Sequence, residues 1–223
     1  MNLPPLAMRI PVIVIGGGGH ARVLISALLL QGRTVLGFTD PDGKNVKVLG
    51  VARLGDDGEV RRYRPDEVRL VNGVGSVISA SLRKQIYERF RHQGYGFESV
   101  VHPSAVVAPD VEIADGVQIM AGAVVQCGSR LGANSIVNTR AGVDHDCEIG
   151  AHVHIAPGVT LSGEVRVGEG ACIGTGASII QGVVIGAYSV VGAGAVVLQD
   201  VLPGVTVMGV PARVVTRKSP PES

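Results

Sequence analysis

Beyond residue 100 the chain carries a branched aliphatic at every sixth position. The series opens with Val101, Val107, Ile113 and Ile119 and closes with Val191 and Val197, 17 consecutive Val, Ile or Leu residues without a gap. A small residue or Val stands four places after each, as in Ala105, Ala123, Ser135, Cys147 and Ala171. Gly often follows the aliphatic directly, as in Leu131-Gly132, Ile149-Gly150 and Val167-Gly168. This period matches neither an α-helix nor a simple strand. It predicts a short strand plus a corner, repeated, with the aliphatic inward and Gly where the backbone needs freedom. Three such strands close a triangular coil of 18 residues. Coils stacked at about 4.8 Å make a prism of nearly six turns, roughly 27 Å long. A β-sandwich would instead show period-2 alternation and irregular turns.

The first hundred residues follow another pattern. Val12-Ile13-Val14-Ile15 reads as a buried parallel strand, and Gly16 to Gly19 and His20 follow it. Ala21 to Leu30 reads as a helix ended by Gly32. Val35 to Phe38 is a second strand leading to Asp40. Leu70 to Asn72 is another, followed by the glycine turn Gly73-Val74-Gly75-Ser76, and Ser81 to Arg91 reads as a helix. This order opens a Rossmann-like unit.

Composition sharpens the division. Six of the seven aromatics precede residue 98, and only Tyr188 follows it; no lysine falls between 85 and 217. A narrow aliphatic prism has no room for rings. The expected domains are 1–98, Rossmann-like and nucleotide-binding, and 99–215, the prism, with a frayed polar tail at 216–223. Lys+Arg 20 against Asp+Glu 19 leaves a net charge of +1, which argues against nucleic acid as a partner. No stretch of about 18 apolar residues suggests a membrane span, and Met1 to Pro11 does not read as a signal peptide. Cys127, Cys147 and Cys172 lack CxxC spacing, so neither a disulfide framework nor a cysteine zinc site is expected, and the cytoplasm is the default location.

Gly-rich turns let a phosphate approach the backbone, and a helix N-terminus supplies N–H donors. Gly16, Gly18 and Ala21 satisfy a GxGxxA reading, with Asp40 placed for a ribose hydroxyl. A nicotinamide oxidoreductase is thus one alternative. The domain has room for about one half of a dinucleotide fold, so a mononucleotide-like ligand fits better.

The hexads IGAHVH, IAPGVT, VGEGAC, IGTGAS and IGAYSV resemble the hexapeptide-repeat acyltransferases, as does the closing Gly209-Val210-Pro211-Ala212. That resemblance implies a left-handed parallel β-helix and a homotrimer. Gly18-Gly19-His20, the run Asn138 to Gly150, and His154 nine residues after His145 narrow it. From about Pro11 to Val215 the chain resembles bacterial nucleotide-sugar acetyltransferases of the sialic acid O-acetyltransferase type. Members N-acetylate UDP- or GDP-linked 4-amino-4,6-dideoxy sugars with acetyl-CoA as co-substrate and no metal. By this resemblance Gly17, Gly18, Gly19 and His20 line the diphosphate, and Asp40, Gly75, Ser76 and Arg83 complete the pocket. The family often has Glu after its catalytic His; here Asp146 stands there.

Acetyl transfer from a thioester to an amine needs a base, donors for the oxyanion and alignment of the substrates. Histidine suits the base at neutral pH. His145 is assigned that role, with Asp146 orienting it and Asp144 as the competing orienter; Asn138 would bond the sugar. By resemblance His154 lies near the acetyl group, with Gly163, Thr175 and Ala193 along the coenzyme A arm. His145 and His154 occupy non-inward positions half a coil apart, hence on different faces, and are expected to meet only across a subunit boundary. Cys147 falls at the small corner position of the repeat, where a packed thiol is sufficient, and is not expected to act as a nucleophile. O-acetylation of a sugar hydroxyl, and a nucleotide-binding solenoid without catalysis, are the remaining alternatives.

Overall fold

The computed structural model describes residues 10–43, 45–75 and 81–215. The N-terminal unit is a five-stranded sheet in the order β3-β4-β2-β1-β5. Its elements are β1 (Val12–Ile15), α1 (Gly19–Leu30), β2 (Val35–Thr39), β3 (Lys47–Val48), β4 (Val51–Gly55), β5 (Arg69–Asn72) and α2 (Ser81–His92). β1 is parallel to β2 and β5, and all four of its residues are buried. Its continuous aliphatic run reflects that double covering. Helix α1 begins two residues earlier than its apolar pattern indicates, at Gly19. The β3–β4 hairpin and a 3-10 turn over Asp57–Arg62 carry no strong periodic signal.

From Val100 the chain winds as a left-handed parallel β-helix with three faces of six, five and eight strands. Up to Val197 the strands are two residues long and pair in register at a spacing of 18 residues, as Ile136 does with His154 and His154 with Cys172; the closing strand Thr206–Met208 pairs with Val190–Val191 at a spacing of 16 and is joined antiparallel by Arg213–Val214. The six-residue ladder supplies the core: Ile119, Val125, Val137, Ile155, Leu161 and Ile185 are all at most 1% exposed. Corners need left-handed backbone. Gly supplies it in most, while Asn134, Arg140, Asp146, His152, Glu164 and Tyr188 adopt φ of 56 to 61°, a region where Asn, Asp and His carry the least penalty among L residues.

The N-terminal unit sits on the first rungs of the eight-stranded face. There Val100, Ile136 and Met120 pack with Leu24, Ile25 and Leu28 of α1 in one buried cluster. The Gln31 amide donates to the Val101 carbonyl, and Arg33 pairs with Glu98 at 3.0 Å. A second attachment lies at α2. The Lys84 ammonium contacts Glu169 at 2.6 Å and Tyr188 at 2.8 Å. The lone aromatic of the prism therefore stands outside it, as a tether between the two units.

Candidate active site

The C-terminal ends of β1 and β5, the start of α1 and one side of α2 enclose a cleft of about 600 Å³. Its lining includes Gly17, Gly18, Gly19, His20, Asp40 and Gly75. The glycines serve different ends. A Cβ on Gly17 would come within 2.9 Å of the Asp40 side chain, whereas one on Gly18 or Gly19 would meet nothing within 4 Å. Gly17 thus allows Asp40 to close against the loop, and Gly18 and Gly19 leave open space before the first N–H groups of α1. Such a helix start favours an anion. On the far wall Asp57 accepts from Thr39 Oγ1 at 2.7 Å and pairs with Arg89 at 2.5 Å.

Arg83, expected in this pocket, stands behind its wall instead. It is 1% exposed, and its guanidinium donates to the carbonyls of Asn72 at 2.7 Å, Val74 at 2.9 Å and Asn134 at 3.2 Å. It fastens α2 and β5 to the prism. Ser76 lies outside the described residues.

His145 follows the strand Gly142–Val143, at the edge between the six-stranded and five-stranded prism faces. Its Nδ1 lies 2.8 Å from Asp146 Oδ2. A carboxylate only accepts, so Nδ1 carries the hydrogen and Nε2 keeps a lone pair. The bond to Asp146 raises the imidazole pKa above its usual 6.5, with help from the charges of Asp144, Asp146 and Glu164. Asp144 instead accepts from the backbone N–H of His145 at 2.8 Å, so Asp146 is the carboxylate on the ring. Two glycines on neighbouring coils make room for this pair. A Cβ on Gly163 would overlap the imidazole, and one on Gly128 would overlap the Asp146 carboxylate. Gly163 therefore floors His145, a position that the every-sixth-residue pattern does not reveal.

His154 lies on the eight-stranded face, in the strand His154–Ile155. Asn138 Oδ1 accepts from the Thr139 backbone N–H at 2.8 Å, which leaves its amide nitrogen 3.2 Å from His154 Nε2. His154 accepts there, and in its neutral form it carries its hydrogen on Nδ1. Thr175 and Ala193 are both exposed, on the corner that leads from the eight-stranded to the six-stranded face. The expected site residues thus fall into two groups within one chain. His145, Asp146 and Gly163 share one edge; Asn138, His154, Thr175, Ala193 and the cleft belong to the side bearing the eight-stranded face.

Cys147 is buried and donates to the Ser162 carbonyl at 3.3 Å; burial pushes its thiol pKa up to about 11, which keeps it un-ionised and poorly nucleophilic. His152 is 6% exposed and bonded to Asn134 at 2.9 Å. No group of three or more His, Cys, Asp or Glu suited to a metal occurs among the described residues. No described helix is long and apolar enough to cross a membrane.

The fold has counterparts among known proteins. Residues 11–90 match the PglD N-terminal domain, and residues 128–163 and 164–199 match the bacterial transferase hexapeptide (six repeats). No curated protein matches the chain. A solved variant of perosamine N-acetyltransferase from Caulobacter crescentus, in complex with CoA and GDP-perosamine, is 42% identical. The match covers 92% of this chain and 97% of that one, with a TM-score of 0.87. The acetyltransferase domain of PglB from Neisseria gonorrhoeae FA1090, in complex with acetyl coenzyme A, is 38% identical over 92% of this chain and 99% of that one, again at 0.87. WeeI from Acinetobacter baumannii AYE, 24% identical over 92% of this chain and 99% of that one at a TM-score of 0.76, shares the fold. The chain therefore belongs to the nucleotide-sugar acetyltransferases that join a PglD N-terminal domain to hexapeptide repeats.

Proposed function

We propose that the protein transfers the acetyl group of acetyl-CoA to the 4-amino group of a nucleotide-linked 4-amino-4,6-dideoxy sugar, with GDP-perosamine as the first substrate to test. The relative at 42% identity that holds CoA and GDP-perosamine supports the substrate class. The observation that carries the chemistry is the His145–Asp146 pair, with its ring hydrogen on Nδ1 and a lone pair on Nε2.

The cleft seats the nucleotide, with the diphosphate against the open space at Gly18 and Gly19 and a ribose hydroxyl near Asp40. The sugar amine attacks the thioester carbonyl directly. His145 Nε2 takes the proton that the nitrogen loses, and Asp146 stabilises the imidazolium. The tetrahedral oxyanion collapses, the carbon–sulfur bond breaks, and the departing thiolate recovers that proton from His145. No acyl-enzyme forms. His154 stands near the acetyl group, while Asn138 retains one amide hydrogen for the sugar. Thr175 and Ala193, small and exposed, leave the backbone open to pantetheine.

The two groups of site residues lie on different sides of one prism. Bringing them together takes the cleft side of one copy and the His145 edge of the next. Three copies about a threefold axis close such an arrangement without leaving an unpaired edge. In this reading Gly163 comes to the coenzyme A arm from the same copy as His145.

The test is thiol release from acetyl-CoA against UDP-, GDP- and dTDP-linked 4-amino sugars, with a sialic acid as the hydroxyl acceptor. Release with an amino sugar, and a loss of about 10²-fold or more in His145→Ala, are expected. Release only with the hydroxyl acceptor would turn the reading to O-acetylation. Absence of release with every acceptor would leave a binding solenoid.

A further inference from the structure

We infer that His20 meets the nucleotide sugar as a hydrogen-bond acceptor, through Nδ1, and that Gln118 of the prism fixes it in that role. This rests on the proposed seat for the nucleotide sugar and deepens it. It also revises the expectation that His20 lines the diphosphate.

The reasoning begins at a backbone carbonyl. The oxygen of Asn72 can only accept, so the Gln118 atom 2.8 Å from it is the amide nitrogen. That sets the orientation of the whole amide group. Its other end, Oε1, lies 2.7 Å from His20 Nε2. An amide oxygen cannot donate, so the hydrogen in that contact belongs to the imidazole. The same Asn72 carbonyl accepts from Arg83 at 2.7 Å, and Arg83 is 1% exposed. The anchor therefore sits in a packed seam between β5 and the prism.

With a hydrogen on Nε2, the ring is either an imidazolium or a neutral imidazole with its lone pair on Nδ1. Burial, foremost, and the nearby Arg83 guanidinium hold the His20 pKa down to about 4. The ring is thus neutral under ordinary conditions, and Nδ1 is an acceptor. A diphosphate oxygen at neutral pH has no hydrogen to give, and its lone pairs would face another. A ligand group bonded to Nδ1 must instead be a donor, namely a hydroxyl or an amino nitrogen. Both the ribose and the amino sugar carry such groups. The diphosphate is left to the N–H groups at the start of α1. His20 lines the cleft, and Gln118 is 0% exposed, so Gln118 acts through His20 and is a positioning residue.

Two measurements on the full-length protein test this. Long-range nitrogen-15 NMR of the ligand-free enzyme at pH 7 should show His20 protonated on Nε2 alone. A ring protonated on Nδ1, or on both nitrogens, would overturn the inference. Calorimetric titration should then compare wild type with His20→Phe and His20→Asn, using GDP and a GDP-linked 4-amino sugar. His20→Phe should weaken the ligand that supplies the donor by about 3- to 10-fold, the weight of one neutral hydrogen bond. A loss confined to the amino sugar places the donor on the sugar, and an equal loss for GDP places it on the ribose. His20→Asn returns an oxygen acceptor near the former Nδ1 and should recover most of the affinity. Losses below twofold for both ligands in folded His20→Phe, or no recovery in folded His20→Asn, would contradict the acceptor role. Failure of wild type to bind GDP, UDP or their amino sugars would refute the cleft reading while leaving the NMR result intact.

Discussion

Gly163→Ala isolates the geometry of the proposed base. Gly163 has no left-handed φ, so its backbone admits alanine without strain. The obstacle is the imidazole of His145. The added methyl would overlap ring atoms Cε1 and Nε2 and stand 3.0 Å from Cδ2. Ordinary carbon contacts lie at about 3.5 to 4.0 Å, so the ring must withdraw by about 1 Å. The bond to Asp146 at 2.8 Å cannot survive unchanged, and Nε2 leaves its line to the amine. A displacement of this size costs about 10²-fold in rate when it falls on a reacting group. The ring is partly exposed and can swing outward, so stability should change by less than about 1 kcal/mol. The assay is thiol release at saturating acetyl-CoA, beside a thermal melt. A double-mutant cycle with His145→Ala gives the sharpest reading. If Gly163 acts only through the imidazole, its replacement adds nothing once the imidazole is gone. Independent, multiplying losses would refute this placement of Gly163, as would wild-type kcat in the single variant.

Other consequences are open to simpler checks. The base must be neutral to accept a proton, so kcat/KM should rise with pH through a midpoint above 6.5; Asp146→Asn, which removes the main cause of that elevation, should move the midpoint down, and an unmoved midpoint would exclude Asp146 as the ring's partner. Arg83→Met takes the donor from the carbonyls of Val74 and Asn134 and leaves that of Asn72 to Gln118 alone, and denaturant unfolding should show a loss of about 2 kcal/mol or more; a loss below 1 kcal/mol would contradict its fastening role. Lys84→Met removes an ion pair that is partly open to solvent, so the same experiment should register no more than about 1 kcal/mol.

The prism was legible in the sequence because one face of each strand obeys a single demand. Every sixth side chain must fill the same narrow interior, and Val101 to Val197 meet it without interruption. The Rossmann-like unit was legible from β1, whose double burial leaves no polar position, and from the glycines after it. Local pattern fails where distant groups decide the outcome. The family resemblance assigns Arg83 to the pocket; only the folded chain supplies the three carbonyls that engage it. Gly163 looks like any small corner residue until the coil stacks it under His145. The tautomer of His20 depends on Gln118, which lies 98 residues away and on the other domain. Tyr188 stood out as the single aromatic beyond residue 98, but nothing near it in sequence names Lys84 as its partner.

A site shared between copies is best examined by mixing two inactive variants. His145→Ala removes the base from one edge. Gly18→Glu places an acid where the diphosphate is proposed to sit, at a position whose φ of −78° and empty surroundings admit a side chain. Each alone should be inactive, whereas co-expressed chains that assemble at random about a threefold axis should regain up to about a quarter of wild-type sites. Activity that never exceeds the sum of the two parents, in a sample shown to contain mixed assemblies, would contradict a base and a cleft drawn from different chains.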